Sequence, residues 1–159
     1  MARLPYPLEA LRKLRDDQAQ TQAQALAAQV ARAASAARVL EQRVAARRAH
    51  AEQTRETLAL EQSRLLGGGV SGAELLRAAE FETAARAQAA LLERAEADAR
   101  QALFDARAAE QELREGLARR EADAKLVRNH ETSFHERAAE RTAGAEEEAA
   151  LEQWNARRR

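Results

Sequence analysis

Cysteine is absent from this 159-residue sequence, which therefore carries neither a disulfide framework nor a thiolate nucleophile. Proline occurs twice, at Pro5 and Pro7, and from Leu8 onward nothing removes a backbone donor from a helical ladder. Aromatic residues make up only 3%: three Phe, one Tyr and one Trp. Although 45% of residues count as hydrophobic, roughly a quarter of the chain is alanine, and the bulky side chains that fill a globular core are scarce. A thick core is not expected. No apolar run approaches the roughly 20 residues needed to span a bilayer. The opening MARLPYPLEALRKLR places Glu9 where a signal peptide would have its apolar centre. The expectation is a cytoplasmic protein without stable membrane insertion.

What the sequence does contain is helix-forming material. Ala, Glu, Gln, Arg and Leu dominate, and each has high intrinsic helix propensity. With 33% charged residues, a chain that is disordered or partly folded when free is the alternative. The zero net charge hides a division: up to Leu66 there are 11 basic and 7 acidic residues, and from Gly67 onward 15 basic and 19 acidic. Folding the second segment back on the first sets these opposite fields against each other.

The only strong punctuation inside the chain is Gly67-Gly68-Gly69-Val70-Ser71-Gly72. Three consecutive glycines can cap one helix and reverse the chain. Ser71 followed three residues later by Glu74 is a capping box that starts the next helix. The sequence thus predicts an all-α fold, a long antiparallel two-helix coiled-coil hairpin forming a single elongated domain over 1–159. Its first helix covers about 7–66, the turn 67–71 and the second helix about 72–155.

A 4-3 rhythm marks the seam of the first helix at Leu26, Val30, Ala33, Ala37, Leu40, Val44, Arg47, Ala51, Thr54, Leu58, Glu61 and Leu65. Upstream, Leu4, Leu8, Leu11, Arg15, Gln18 and Gln22 continue the stripe. They join it through successive four-residue steps at Leu26 and Val30, which read as a stutter. The second helix alternates from Leu75, Ala78, Glu82 and Ala85 through Glu96, Ala99, Leu103 and Arg120 to Ala124, Val127, Glu131, Phe134 and Ala138. The seam is thin, and Glu or Arg interrupts it. Pairing about the turn gives a register in which facing residue numbers add to about 138, setting Leu4 near Phe134 and leaving an overhang from about residue 135. Within that overhang, Leu151 and Trp154 share a face. Trp154 either packs within the chain, makes no fixed contact, or anchors a partner. Gly116 and Gly144 each weaken the helix by about 1 kcal/mol relative to alanine without ending it.

Chemistry-bearing patterns are missing. His50 lies on a charged, solvated face. His130 and His135 are five apart, a poor spacing for one face, and the stretch His130-Glu131-Thr132-Ser133-Phe134-His135 is not the H-E-x-x-H metal motif. The triple glycine lacks a following Gly-Lys-Ser/Thr and reads as a turn, not a phosphate loop. Basic clusters at Arg12, Lys13 and Arg15 and at Arg43, Arg47 and Arg48 are small and diluted by acidic neighbours, which argues against nucleic acid. Leu4, Leu8 and Leu11 beside Arg12 and Lys13 also have the pattern of a short membrane-surface helix, explained as well by helix pairing. No catalytic, cofactor-binding or metal-binding residue is expected, so the chain reads as a non-enzyme that works mechanically or as an adaptor.

The opening YPLEALRKLRDDQAQTQAQALAAQVARA, the alanine- and arginine-rich body and the closing EEEAALEQWNARRR together resemble the central-stalk proteins of bacterial type III secretion systems. The likeness is to the plant-pathogen-type and Burkholderia-type branch related to the FliJ and YscO families, and LEQWNARRR is its most distinctive piece. The resemblance implies a hairpin similar to the coiled coil of the gamma subunit of rotary ATPases, and a chain that is monomeric when isolated. It implies a cytoplasmic stalk at the base of the secretion apparatus that enters the hexameric secretion ATPase, reaches the nonameric export gate and handles secretion chaperones. On this reading the ATPase ring would meet Leu4, Leu8, Leu11, Arg12, Lys13 and Arg15 together with Leu151, Trp154, Arg157, Arg158 and Arg159. The export gate would meet Leu75, Leu76 and Ala79. The alternative is a generic coiled-coil scaffold or homo-oligomeric structural protein.

Overall fold

A computed structural model describes residues 5–158 of the chain, all within an all-α two-helix hairpin. Helix α1 spans Glu9–Leu66 and helix α2 spans Gly72–Arg157. The expected start of α1 at about residue 7 moves to Glu9, because the Tyr6 carbonyl accepts from the Glu9 amide in a preceding turn. Leu4 lies outside the described residues.

The reversal follows from local chemistry. Gly68 and Gly69 both adopt φ of +81°, a region that side chains disfavour, and only open space surrounds them. The capping box then launches α2. The Ser71 amide donates to Glu74 Oε2 at 2.8 Å, the Ser71 hydroxyl donates to the same oxygen at 2.9 Å, and the Glu74 amide approaches Ser71 Oγ at 3.4 Å.

By internal contacts the chain divides into two units, residues 1–27 with 112–159 and residues 28–111. In the second unit the two helices run antiparallel from the turn. Its buried residues are Gln29, Ala33, Ala85, Glu96 and Ala99, small or polar throughout. The first unit buries Tyr6 and Ala124. Among the described residues no large side chain is fully buried. The seam is therefore as thin as alanine predicts.

The α2 stripe coincides with the half-buried and buried positions from Ala78 to Ala138, except that Leu75 and Arg120 are exposed. The α1 stripe fails at its ends, where Leu8, Leu11 and Leu65 are exposed, and is displaced in three places between them. Gln29, His50 and Thr57 turn inward where Val30, Ala51 and Leu58 were expected, and Val30 is 42% exposed. The half-buried positions run Gln22, Leu26, Gln29, Ala33. With half-buried Gln18 before them, two successive four-residue steps lead to Leu26, and a step of three to Gln29 replaces the further four expected to Val30. The cause is the Gln29 side chain, whose Nε2 donates to the Ala106 carbonyl at 2.9 Å, a contact the valine cannot make. In the other unit Gln22 does the same toward the Leu113 carbonyl at 3.3 Å.

Gly116 permits that second contact. A Cβ placed there would stand 2.6 Å from Gln22 Nε2, whereas one at Gly144 would meet nothing within 4 Å. Gly144→Ala is expected to raise stability by about 1 kcal/mol through helix propensity. Gly116→Ala should be close to neutral, because displacing the Gln22 amide forfeits a hydrogen bond worth about 1 kcal/mol. In a Gln22→Ala background the Gly116→Ala gain should return to about 1 kcal/mol. Denaturant melts followed by circular dichroism check all three; equal gains at both glycines would show that Gln22 does not constrain the site.

Candidate functional site

The seam of the unit formed by residues 28–111 holds a charge where alanine leaves room for one. Glu96 has only 5% of its side chain exposed, with Arg47 Nε 2.5 Å from one carboxylate oxygen and Arg100 Nη2 2.5 Å from the other. Arg47 reaches across from α1, and Arg100 reaches back one turn along α2. The Arg47 hydrogen bond holds the Glu96 carboxyl below the ordinary glutamate range, against the opposing push of burial; Arg47, Arg100 and Arg48 add electrostatic support. Two of the charges that interrupt the predicted seam, Arg47 and Glu96, thus satisfy each other.

In the unit formed by residues 1–27 and 112–159, basic residues on α1 also meet acidic residues on α2. Arg15 Nη1 lies 3.5 Å from Asp123 and donates to Gln18 at 3.1 Å. Arg12 Nε lies 3.3 Å from Glu131, without the alignment of a hydrogen bond. Arg128 runs the other way, placing two N–H groups on one oxygen of Asp16 at 3.0 and 2.7 Å. Such partly exposed pairs contribute about 0–1 kcal/mol each and act mainly on register.

These contacts divide the residues expected to meet a partner. Arg12 and Arg15 are spent within the hairpin, each about 30% exposed, and do not form a free basic face. Lys13 is 65% exposed and paired only along its own helix, with Glu9 at 2.8 Å. Leu8 and Leu11 are 41% and 36% exposed. On the tail, Leu151 and Trp154 stand well exposed, and the Arg158 guanidinium lies 4.0 Å above the Trp154 ring. Arg157 is exposed, and Arg159 lies outside the described residues. Every described residue after Ala138 is exposed, so the overhang begins a few residues later than expected. Near the turn, Leu75, Leu76 and Ala79 are all exposed. The second-helix leucines there therefore present apolar surface outward.

One cluster has no counterpart in the sequence reading. Tyr6, 6% exposed, sits against Phe134 edge to face at 5.7 Å, and against His130 and His135 at 5.8 and 6.4 Å. Its hydroxyl lies 2.8 Å from His130 Nδ1 and 3.4 Å from the Val127 carbonyl. Five-residue spacing separates two histidines on a helix face, yet one tyrosine ring is broad enough to touch both. The register drawn for Leu4 sets Tyr6 opposite Thr132, two residues from Phe134, so position gave only an approximate signal.

Open grooves flank the seam in the unit that contains the turn. One is lined by Leu65, Val70, Ala78 and Phe81 with Glu61, Arg64 and Arg77 at its rim. Among the described residues no group of three or more metal-ligating side chains converges, and no helix is long and apolar enough to cross a membrane. No protein-family model matches the chain, and no curated protein or solved structure matches it significantly.

Glu96 sets a pH dependence. Its carboxyl is lowered in the folded state, so its contribution is complete above the ordinary value of 4.5 and is lost as pH falls through the depressed one. Glu9, held down by Lys13, and Glu74, held down by the Ser71 amide, titrate in the same sense. Thermal stability should be level near neutrality and decline below about pH 4.5. Glu96→Gln should be less stable at pH 7 and decline less steeply below it; parallel curves for the two proteins would mean that Glu96 is not held by Arg47.

Proposed function

We propose that this chain is a non-enzymatic helical scaffold or adaptor, whose work is done by side chains displayed along its two helices. The observation that carries this is the distribution of its large apolar groups: the seam buries mainly alanine, while Leu66, Leu76, Leu91, Phe104, Leu126 and Leu151 are each more than 60% exposed. A chain that leaves such groups in water gains from a second surface that covers them. The open grooves offer no enclosed pocket in which acid and base groups would be tuned. An intrinsic hydrolytic activity of the purified chain, abolished by a single substitution that leaves its helicity intact, would overturn this reading.

The more specific form of the proposal is the central stalk of a type III secretion system. Its support is the resemblance of the chain's two ends and the exposure of Leu8, Lys13, Leu151, Trp154 and Arg157, groups a surrounding ring could contact. The partners would be the hexameric secretion ATPase and the nonameric export gate, at the cytoplasmic base of the apparatus. The likeness to the gamma-subunit coiled coil belongs to this reading as well. Co-purification with the cognate ATPase, and ATP hydrolysis measured with and without the chain, tests it. Binding with stimulation is expected. Lys13→Glu and Trp154→Ala should weaken it, whereas Arg12 and Arg15 are poor probes because reversing them also disturbs their contacts with α2. Neither binding nor stimulation would remove the secretion reading and leave the scaffold.

A further inference from the structure

The described part of the tail, residues 139–158, is helical as far as Arg157 and exposed throughout, with nothing from α1 beside it. A helix of this length uncovered on all sides is marginal in water unless its apolar stripe is met. Glu147, Leu151, Trp154 and Arg158 fall at 4-3-4 spacing and so share one face. Arg158 already lies over its own Trp154. That contact accounts for the arginine and one part of the indole, but not for Leu151, which is 61% exposed.

We infer that this face is a docking surface for the same face of a second copy of the chain, the two tails running antiparallel about a twofold axis between Leu151 and Trp154. Antiparallel alignment centred there sets Leu151 against Trp154 of the second copy, and Trp154 against its Leu151. The same register sets Glu147 against Arg158 of the second copy, twice by symmetry. It brings the acidic run 146–148 of each chain alongside Arg157 and Arg158 of the other. A parallel alignment would stack acid on acid and arginine on arginine, which is disfavoured. The surface is self-complementary in shape, with one large and one small apolar side chain per layer, and in charge. A twofold interface requires both. The inference rests on the scaffold reading in one respect only, by supplying a cover for one of its exposed faces.

The single Trp gives a clean reporter, and the paired charges give a clean test. The full chain should self-associate with rising concentration in sedimentation experiments, with its tryptophan emission moving to shorter wavelength. Glu147→Arg with Glu148→Arg leaves both flanks of Leu151 and Trp154 predominantly basic; Arg157→Glu with Arg158→Glu leaves both predominantly acidic. Each variant alone should associate about tenfold or more weakly than the parent, from like-charge repulsion across the axis. An equimolar mixture of the two should recover association. A chain carrying all four reversals should self-associate like the parent, which only the antiparallel register permits. Circular dichroism confirms that the helices persist in each case. A parent chain that stays monomeric into the millimolar range overturns the inference. So does association that both double variants retain unchanged, since it would run through another face. Either failure leaves the scaffold reading standing, because these substitutions lie beyond Ala138 and touch nothing in the seam.

Discussion

Everything in this hairpin follows from how little its seam can hold. Helices that face each other across alanine approach closely, and each alanine contributes only a small apolar area. Close approach brings main-chain carbonyls of one helix within reach of a side-chain amide on the other, which Gln22 and Gln29 use to reach Leu113 and Ala106. It also draws Glu96 into a narrow space where two arginines converge. A wider, leucine-filled seam would push these groups apart. The alanine seam thus supplies weak hydrophobic pairing and strong positional pairing, and the polar contacts set the register that apolar packing leaves loose.

This explains which parts of the fold could be read from residues alone. The glycine reversal and the capping box are local, so Gly68, Gly69, Ser71 and Glu74 announce them without reference to the other helix. The α2 stripe is legible because its polar faces are densely charged, leaving one coherent row from Ala78 to Ala138. The α1 stripe is less legible, because apolar contrast is a poor guide when the best seam residue is polar. Val30 is more hydrophobic than Gln29, yet only Gln29 can satisfy a carbonyl across the seam. Thr57 also turns inward in place of Leu58, although its hydroxyl donates to the Gln53 carbonyl of its own helix and not across the seam.

The candidate contact residues separate along the same line. Sequence counts Arg12, Lys13 and Arg15 as one basic patch, since charge is all it shows. The fold assigns them different jobs: Arg12 and Arg15 cross to α2, and Lys13 faces water. The division of charge between the two halves of the sequence appears in Arg12, Arg15 and Arg47 meeting Glu131, Asp123 and Glu96, with Arg128 and Asp16 as the reverse case. Tyr6 illustrates the limit from the other side. An isolated tyrosine between two prolines carries no periodicity, and only the register of α2 shows that it closes an aromatic cluster.

The tail differs from the seam in kind. Within the hairpin, several charges meet partners on the other helix, such as Arg47 with Glu96 and Arg128 with Asp16, alongside pairs within one helix. Beyond Ala138 no second helix among the described residues performs that service, and although Glu140, Arg141 and Glu152 also lie there, most of the charge is segregated: acid gathers at 146–148 and base at Arg157 and Arg158, with Leu151 and Trp154 between them. A helix meant only to be solvated would interleave its signs every three or four residues, where neighbouring turns stabilise each other. Segregated signs gain little within one helix and become favourable when an antiparallel helix lies alongside. The order of residues in the tail is therefore that of half an interface, and the alanine-rich hairpin behind it is what keeps that half displayed.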